Sequence, residues 1–217
     1  MMKKRPILRY INNIKSMFPL NKGDTYTRNL KHLSIEKKHK ILDIGADSSL
    51  VLKSIFNLPE YVAVEPKKSD SAYKLGINDK LFHDMWPPKN FSYSTFDFIF
   101  LLTVLDEIED KEAFLNSIKP HMNSETKLLI AVRNNDFPFR LSKSVPTIEG
   151  NYISDLGLQD YKILLSKHFK INDIKPFLRP ISFMNNTLML KSVLVRLLMI
   201  ILPKKYTYMV LIELSVK

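Results

Sequence analysis

Asp43, Gly45 and Glu65 are the residues whose types and spacing could grip a ligand that contains a nucleoside. The run Ile41-Leu42-Asp43-Ile44 is apolar around one acid; Gly45 and Ala46 follow, and then Ser48 and Ser49 open a new apolar pattern. That order reads as strand, tight turn, helix start. In an open α/β sheet, the turn at the carboxyl end of a strand is where ligands bind. Gly45 lets the backbone approach a ligand closely, although any tight turn also favours glycine. About 20 residues on, a second apolar run, Tyr61-Val62-Ala63-Val64, ends in Glu65. A carboxylate there can accept hydrogen bonds from ribose hydroxyls. Ahead of Pro66 it could equally be a solvated turn residue.

Further signals follow in order: His83-Asp84, then Phe96-Asp97-Phe98-Ile99-Phe100, then Val104-Leu105-Asp106-Glu107-Ile108. Together with Asp43-Ile44-Gly45 and Glu65, this ordered set resembles the class I S-adenosylmethionine-dependent methyltransferases over residues 38–135. The family's glycine loop usually carries more glycines; here Asp47 and Ser49 stand at the other positions, and only Gly45 remains. The resemblance implies S-adenosyl-L-methionine as cofactor and a set of roles. Asp43 would hold the cofactor's amino-acid end. Gly45 and Ala46 would form the close turn, and Glu65 would take the ribose hydroxyls. Asp84 would accept from the adenine amino group, with Met85 and Trp86 near enough to pack on the ring. Leu102 would end the strand beside which the sulfonium passes.

Asp106-Glu107 stands where many relatives carry Glu-His. Glu107 is the candidate general base if burial raises its pKa. The competing account is an acid placed at a helix N-terminus. Arg133, Asn134 and Arg140 follow a later strand and suit an anionic acceptor, or are solvated loop residues. Methyl transfer from a sulfonium needs alignment and exclusion of water more than covalent help.

The elements that must position these residues alternate. Strands are expected at 41–44, 61–64, 80–83, 96–102 and 127–132. A helix capped by Ser48 or Ser49 follows the first, and one capped by Asp110 and stopped at Pro120 follows the fourth. Residues 133–155 read as a loop, 158–168 as a helix, and 171–177 and 206–214 as strands. The resemblance makes those the last two strands, one of them antiparallel. The expected fold is α/β: a doubly wound, mostly parallel seven-stranded sheet with helices on both faces. A basic N-terminal helix over residues 1–37 precedes a domain at 38–217, and an apolar helical insertion at 181–203 precedes the last strand.

The 217 residues suffice for one domain with a full core. The absence of cysteine excludes disulfides, thiolate metal sites and a cysteine nucleophile. The histidines show no metal-ligand spacing, so no metal is expected. There is no G-x-S-x-G elbow and no phosphate loop of the G-x-x-x-x-G-K type. The net charge of +11 argues for an anionic partner.

Lys3, Lys4, Arg5, Arg9 and Lys15 are interleaved with apolar residues at helical spacing. That pattern fits a helix on the domain's own edge or one lying on an anionic membrane. Leu188 to Leu202 is nearly all apolar. At about 1.5 Å per residue it is too short for a membrane core of roughly 30 Å. It reads as a buried or dimer-contact helix, or as an in-plane membrane helix or lid. The N-terminus lacks the long apolar stretch of a secretory leader. A cytoplasmic location is therefore expected, with an anionic membrane surface as a candidate partner.

The activity expected is S-adenosylmethionine-dependent methyl transfer, to oxygen of a small or lipid/glycan-linked acceptor. The alternatives are an RNA methyltransferase and a catalytically degenerate binding module. Nucleic acid ranks behind the other partners, because no Asn-Pro-Pro-Tyr motif or RNA-binding appendage is visible.

Overall fold

A computed structural model of the chain describes residues 30, 32–46, 52, 60–66, 80–136, 154–176 and 209–217. Seven strands form one sheet in the order β3-β2-β1-β4-β5-β7-β6. They are β1 (Ile41–Ile44), β2 (Tyr61–Val64), β3 (Leu81–Phe82), β4 (Phe98–Leu102), β5 (Lys127–Arg133), β6 (Lys170–Pro176) and β7 (Met209–Ser215). β1 to β5 pair in parallel, and β7 runs antiparallel to both β5 and β6. The sheet is thus mostly parallel with one reversed strand, as expected. The N-terminal extension (all but residues 30 and 32–37), the helix after Ser48 and Ser49 (all but Leu52), most of the loop at 133–155 and the apolar insertion lie outside the described residues.

The central strands are buried along their whole length, which is why they read as unbroken apolar runs. Alternation sends their side chains to opposite faces. Leu42, Ile44, Ile99, Leu101, Leu128 and Ile130 build one face with α1 (Lys111–Ile118) and α2 (Leu158–His168), through Leu115, Ile118, Tyr161 and Leu165. Ile41, Tyr61, Ala63, Phe98, Phe100 and Leu129 build the other, against Leu30, Leu33 and Leu52. Asp43 shares that second face, because it alternates with Leu42 and Ile44.

Asp110 caps α1 as expected: its carboxylate accepts from the Ala113 N–H at 2.9 Å. That contact is worth about 1 kcal/mol to the helix. α2 begins after Gly157, which has no side chain to cap with. Its Leu158 N–H donates instead to Asn134 Oδ1 and Asp136 Oδ2, each at 3.0 Å. A β-carbon at Gly157 would sit 2.2 Å from the Asp136 carboxylate, so only glycine lets the two meet.

β4 begins two residues later than the apolar run suggests. Phe96 is buried, but it is fixed from outside the ladder: its carbonyl accepts from Thr126 Oγ1 at 2.6 Å and its N–H donates to His121 O at 3.1 Å. Asp97 then accepts from the Lys40 N–H at 2.7 Å and ties the entry of β4 to that of β1.

Candidate active site

Gly45 and Glu65 leave the sheet side by side. Ile44 and Val64 are the last register partners of β1 and β2. The Gly45 N–H then donates to Val64 O at 2.7 Å, and the Glu65 N–H to Phe82 O at 2.9 Å. The two residues singled out about 20 positions apart are therefore neighbours at the carboxyl edge. Gly45 has φ +71°. A β-carbon there would lie 2.2 Å from Val104 Cγ2. The turn after β4 thus presses on the turn after β1, and that closeness requires glycine twice over. Ala46, buried beside it, donates its N–H to Val64 O at 3.4 Å.

Asp43 lies one step below this turn, 3% exposed. It accepts a hydrogen bond of 2.5 Å from the Tyr61 hydroxyl, which is itself fully buried. Burial first, and then the Asp43 charge, push the Tyr61 hydroxyl well above its ordinary pKa, so it stays protonated and donates. Glu65 is also buried. The site therefore carries two carboxylates where a positively charged or hydroxyl-rich ligand end could meet them.

Beyond β3, Asp84 and Met85 are exposed, and the Met85 N–H donates to Asp84 Oδ1 at 2.8 Å. At 64% exposure Met85 presents an uncovered apolar side chain. Trp86 turns the other way. Its indole N–H donates to Ser117 Oγ on α1 at 2.8 Å, and its ring meets Phe91 and His121 edge-on. It packs the β3–β4 connection onto the helix layer and leaves Met85 as the outward-facing side chain. His83 Nδ1 lies 3.3 Å from Glu65 O and ties that connection to the end of β2.

On the other side, Leu102 ends β4 buried, and the chain passes through Thr103 at φ +71°. A β-branched residue in the left-handed region stores of order 1–3 kcal/mol, and such strain clusters at functional sites. The Thr103 N–H holds the turn by donating to Ala131 O at 2.9 Å. The next turn, Leu105–Glu107, separates its two acids. Glu107 is exposed, whereas Asp106 is 1% exposed. Burial acts on Asp106, whose carboxyl is held above the usual range by desolvation. Asp106 accepts from Tyr161 Oη at 2.7 Å and from the Arg133 N–H at 3.1 Å, and its Oδ2 lies 3.8 Å from Arg133 Nε. Its carbonyl accepts from the Ser154 N–H at 2.8 Å. Asp106 therefore clasps the ends of β4 and β5, α2 and the returning chain, a role the sequence pattern did not announce.

That clasp carries a pH signature. The Asp106 pKa in the fold lies above its unfolded value near ~4. Its contribution to stability is therefore complete below that value and is lost as the pH rises through the raised one. Asp106→Asn cannot ionise. The stability of the wild type minus that of the variant should fall as the pH rises above the unfolded value, as read by thermal melting across pH. A flat difference would show that burial does not dominate at Asp106.

Arg133, at the end of β5, is engaged by Asp106, with its side chain 17% exposed. Asn134 is 1% exposed, and its Oδ1 accepts from the N–H groups of Leu158 and Asp136. That geometry fastens α2 and offers no open surface to a substrate. Arg140 lies outside the described residues. Among the described residues, no three His, Asp or Glu side chains are grouped to hold a metal, and no helix is long and apolar enough to cross a membrane.

A methyltransferase-domain family model matches residues 19–172. The fold is shared with several solved structures. One is a 1,6-didemethyltoxoflavin N1-methyltransferase from Burkholderia thailandensis, with its acceptor and S-adenosylhomocysteine bound. It has a TM-score of 0.60 and 12% identity, over 97% of this chain and 85% of that one. A plantazolicin methyltransferase in complex with S-adenosylhomocysteine has a TM-score of 0.57 and 19% identity, over 98% and 92%. An S-adenosylmethionine-dependent methyltransferase from Aquifex aeolicus has a TM-score of 0.58 and 12% identity, over 96% and 98%. No curated protein is significantly similar in sequence. Carboxylates and a glycine turn at the edge of β1 and β2 fit the ammonium and ribose of S-adenosylmethionine. With the matched domain and the 3-2-1-4-5-7-6 sheet, they lead to one assignment: the chain belongs to the class I S-adenosylmethionine-dependent methyltransferases.

Proposed function

We propose that the chain methylates an oxygen of a small or lipid/glycan-linked acceptor that reaches the carboxyl edge of the sheet. The observation that carries the cofactor half of this reading is the adjacency of Gly45 and Glu65, with the Asp43 carboxylate beneath them. Asp43 faces the cofactor's amino-acid end. The Gly45-Ala46 turn takes the close approach, and Glu65 accepts from the ribose hydroxyls. Asp84 accepts from the adenine amino group, and the exposed Met85 covers the ring. When bound, S-adenosylmethionine supplies a methyl group on an activated leaving group.

The acceptor lies against Leu102, Thr103 and Arg133. Arg133 favours an anionic acceptor, and the net charge of +11 supports the same choice or an anionic membrane surface. Glu107, exposed at the turn after β4, receives the proton of an acceptor hydroxyl directly or through one water. Two of the structural neighbours were solved with small acceptors or their analogues, which supports a small-molecule acceptor here. In this reading, residues 1–37 are an extension and 38–217 the catalytic domain.

The test is transfer of label from methyl-labelled S-adenosylmethionine to anionic lipid extract, to phosphorylated oligosaccharides and to total RNA. Label in the first or second as an ether or ester is the expected outcome. Label in RNA alone would sink the acceptor reading and leave the cofactor reading standing.

A further inference from the structure

We infer that Tyr61 is a positioning residue for cofactor binding: its hydroxyl holds the Asp43 carboxylate aimed at the cofactor's ammonium group. The inference rests on the proposed placement of the cofactor's amino-acid end at Asp43.

The geometry comes from the register. Ile41 faces Tyr61 and Asp43 faces Ala63 across β1 and β2. Tyr61 and Asp43 therefore share a face on a diagonal, within reach of a long aromatic side chain. Ala63, opposite Asp43, carries only a methyl and leaves that diagonal open. The hydroxyl donates to Oδ2 at 2.5 Å, with both groups buried.

A purely structural account has the costs reversed. If β2 needed only an apolar side chain at 61, phenylalanine would fill the site and need no partner. Burying a carboxylate to satisfy a tyrosine hydroxyl costs more than the hydroxyl would cost unpaired. The acid is therefore the fixed requirement and the tyrosine its support. Removing the donor frees the Asp43 side chain to leave that rotamer, and this weakens its contact with an ammonium group.

The experiment compares two ligands. S-adenosylhomocysteine carries the amino-acid end, and 5′-methylthioadenosine lacks it. Tyr61→Phe should weaken S-adenosylhomocysteine about 10-fold and leave 5′-methylthioadenosine within about twofold. In an Asp43→Asn background, Tyr61→Phe should add nothing. Equal weakening of both ligands would mean that Tyr61 only supports the fold, and no weakening of either would mean that it does nothing for Asp43. Each of these overturns the inference, as would full additivity with Asp43→Asn. Should Tyr61→Phe fail to fold, Tyr61→Met, which also removes the donor while filling the site with an adaptable apolar side chain, is put through the same two-ligand comparison, and equal effects on both ligands would again overturn the inference. A folded wild type that binds neither ligand would instead remove the cofactor placement on which the inference rests.

Discussion

Replacing Gly45 by valine should abolish measurable binding of S-adenosylmethionine and lower the unfolding free energy by about 2–4 kcal/mol. Two separate costs are involved. The left-handed backbone at φ +71° is unfavourable for any residue with a β-carbon, and most of all for a branched one. The β-carbon itself would also sit 2.2 Å from Val104 Cγ2. Relief by backbone movement would part the turns after β1 and β4, at the place where the cofactor must approach. A truncated neighbour separates the two costs. In a Val104→Ala background, Gly45→Ala meets only the β-carbon of position 104, at an ordinary contact of 3.5 Å, and should keep only the backbone penalty, about 1–2 kcal/mol. Chemical denaturation gives the stability and calorimetry the binding. A folded Gly45→Val chain with undiminished affinity would exclude this turn from the site.

Glu65→Ala should weaken S-adenosylmethionine by ~1–3 kcal/mol, or about 5- to 150-fold in Kd. The strand end should survive, because the Glu65 backbone N–H still donates to Phe82 O. Glu65→Gln keeps the length and one acceptor oxygen, and its loss should be intermediate. Because the ribose is common to both ligands, Glu65→Ala should weaken 5′-methylthioadenosine as much as S-adenosylhomocysteine. That parallel loss distinguishes Glu65 from Asp43, whose variants should spare the truncated ligand. Unchanged affinity for both would remove Glu65 from the ribose site.

The residues around Gly45 and Glu65 were legible because local signals and position agree there. β1 and β2 are short buried runs with polar ends, so their ends, and hence the turn and the acid, were fixed by pattern alone. α2 was likewise legible, although the groups that start it were not. Asn134 and Asp136 reach Leu158 across 24 and 22 positions, which no local pattern records. The same limit explains Asp106 and Glu107. Two adjacent acids look alike in sequence, and only the turn after β4 turns one inward, toward Tyr161, 55 positions away. Phe96 shows that an apolar residue can be buried without joining the ladder, which is why β4 was read too long. Thr103 gave no signal at all, because threonine is not a residue that announces a positive φ.

The most direct measurement is a calorimetric titration of the wild-type chain with S-adenosylhomocysteine, with folding verified on the same sample by circular dichroism. The account predicts saturable heat with one ligand bound per chain, sharply reduced in Glu65→Ala and absent in Gly45→Val. A well-folded wild type that shows no heat up to about 1 mM ligand, an affinity weaker than about −4 kcal/mol, would contradict it.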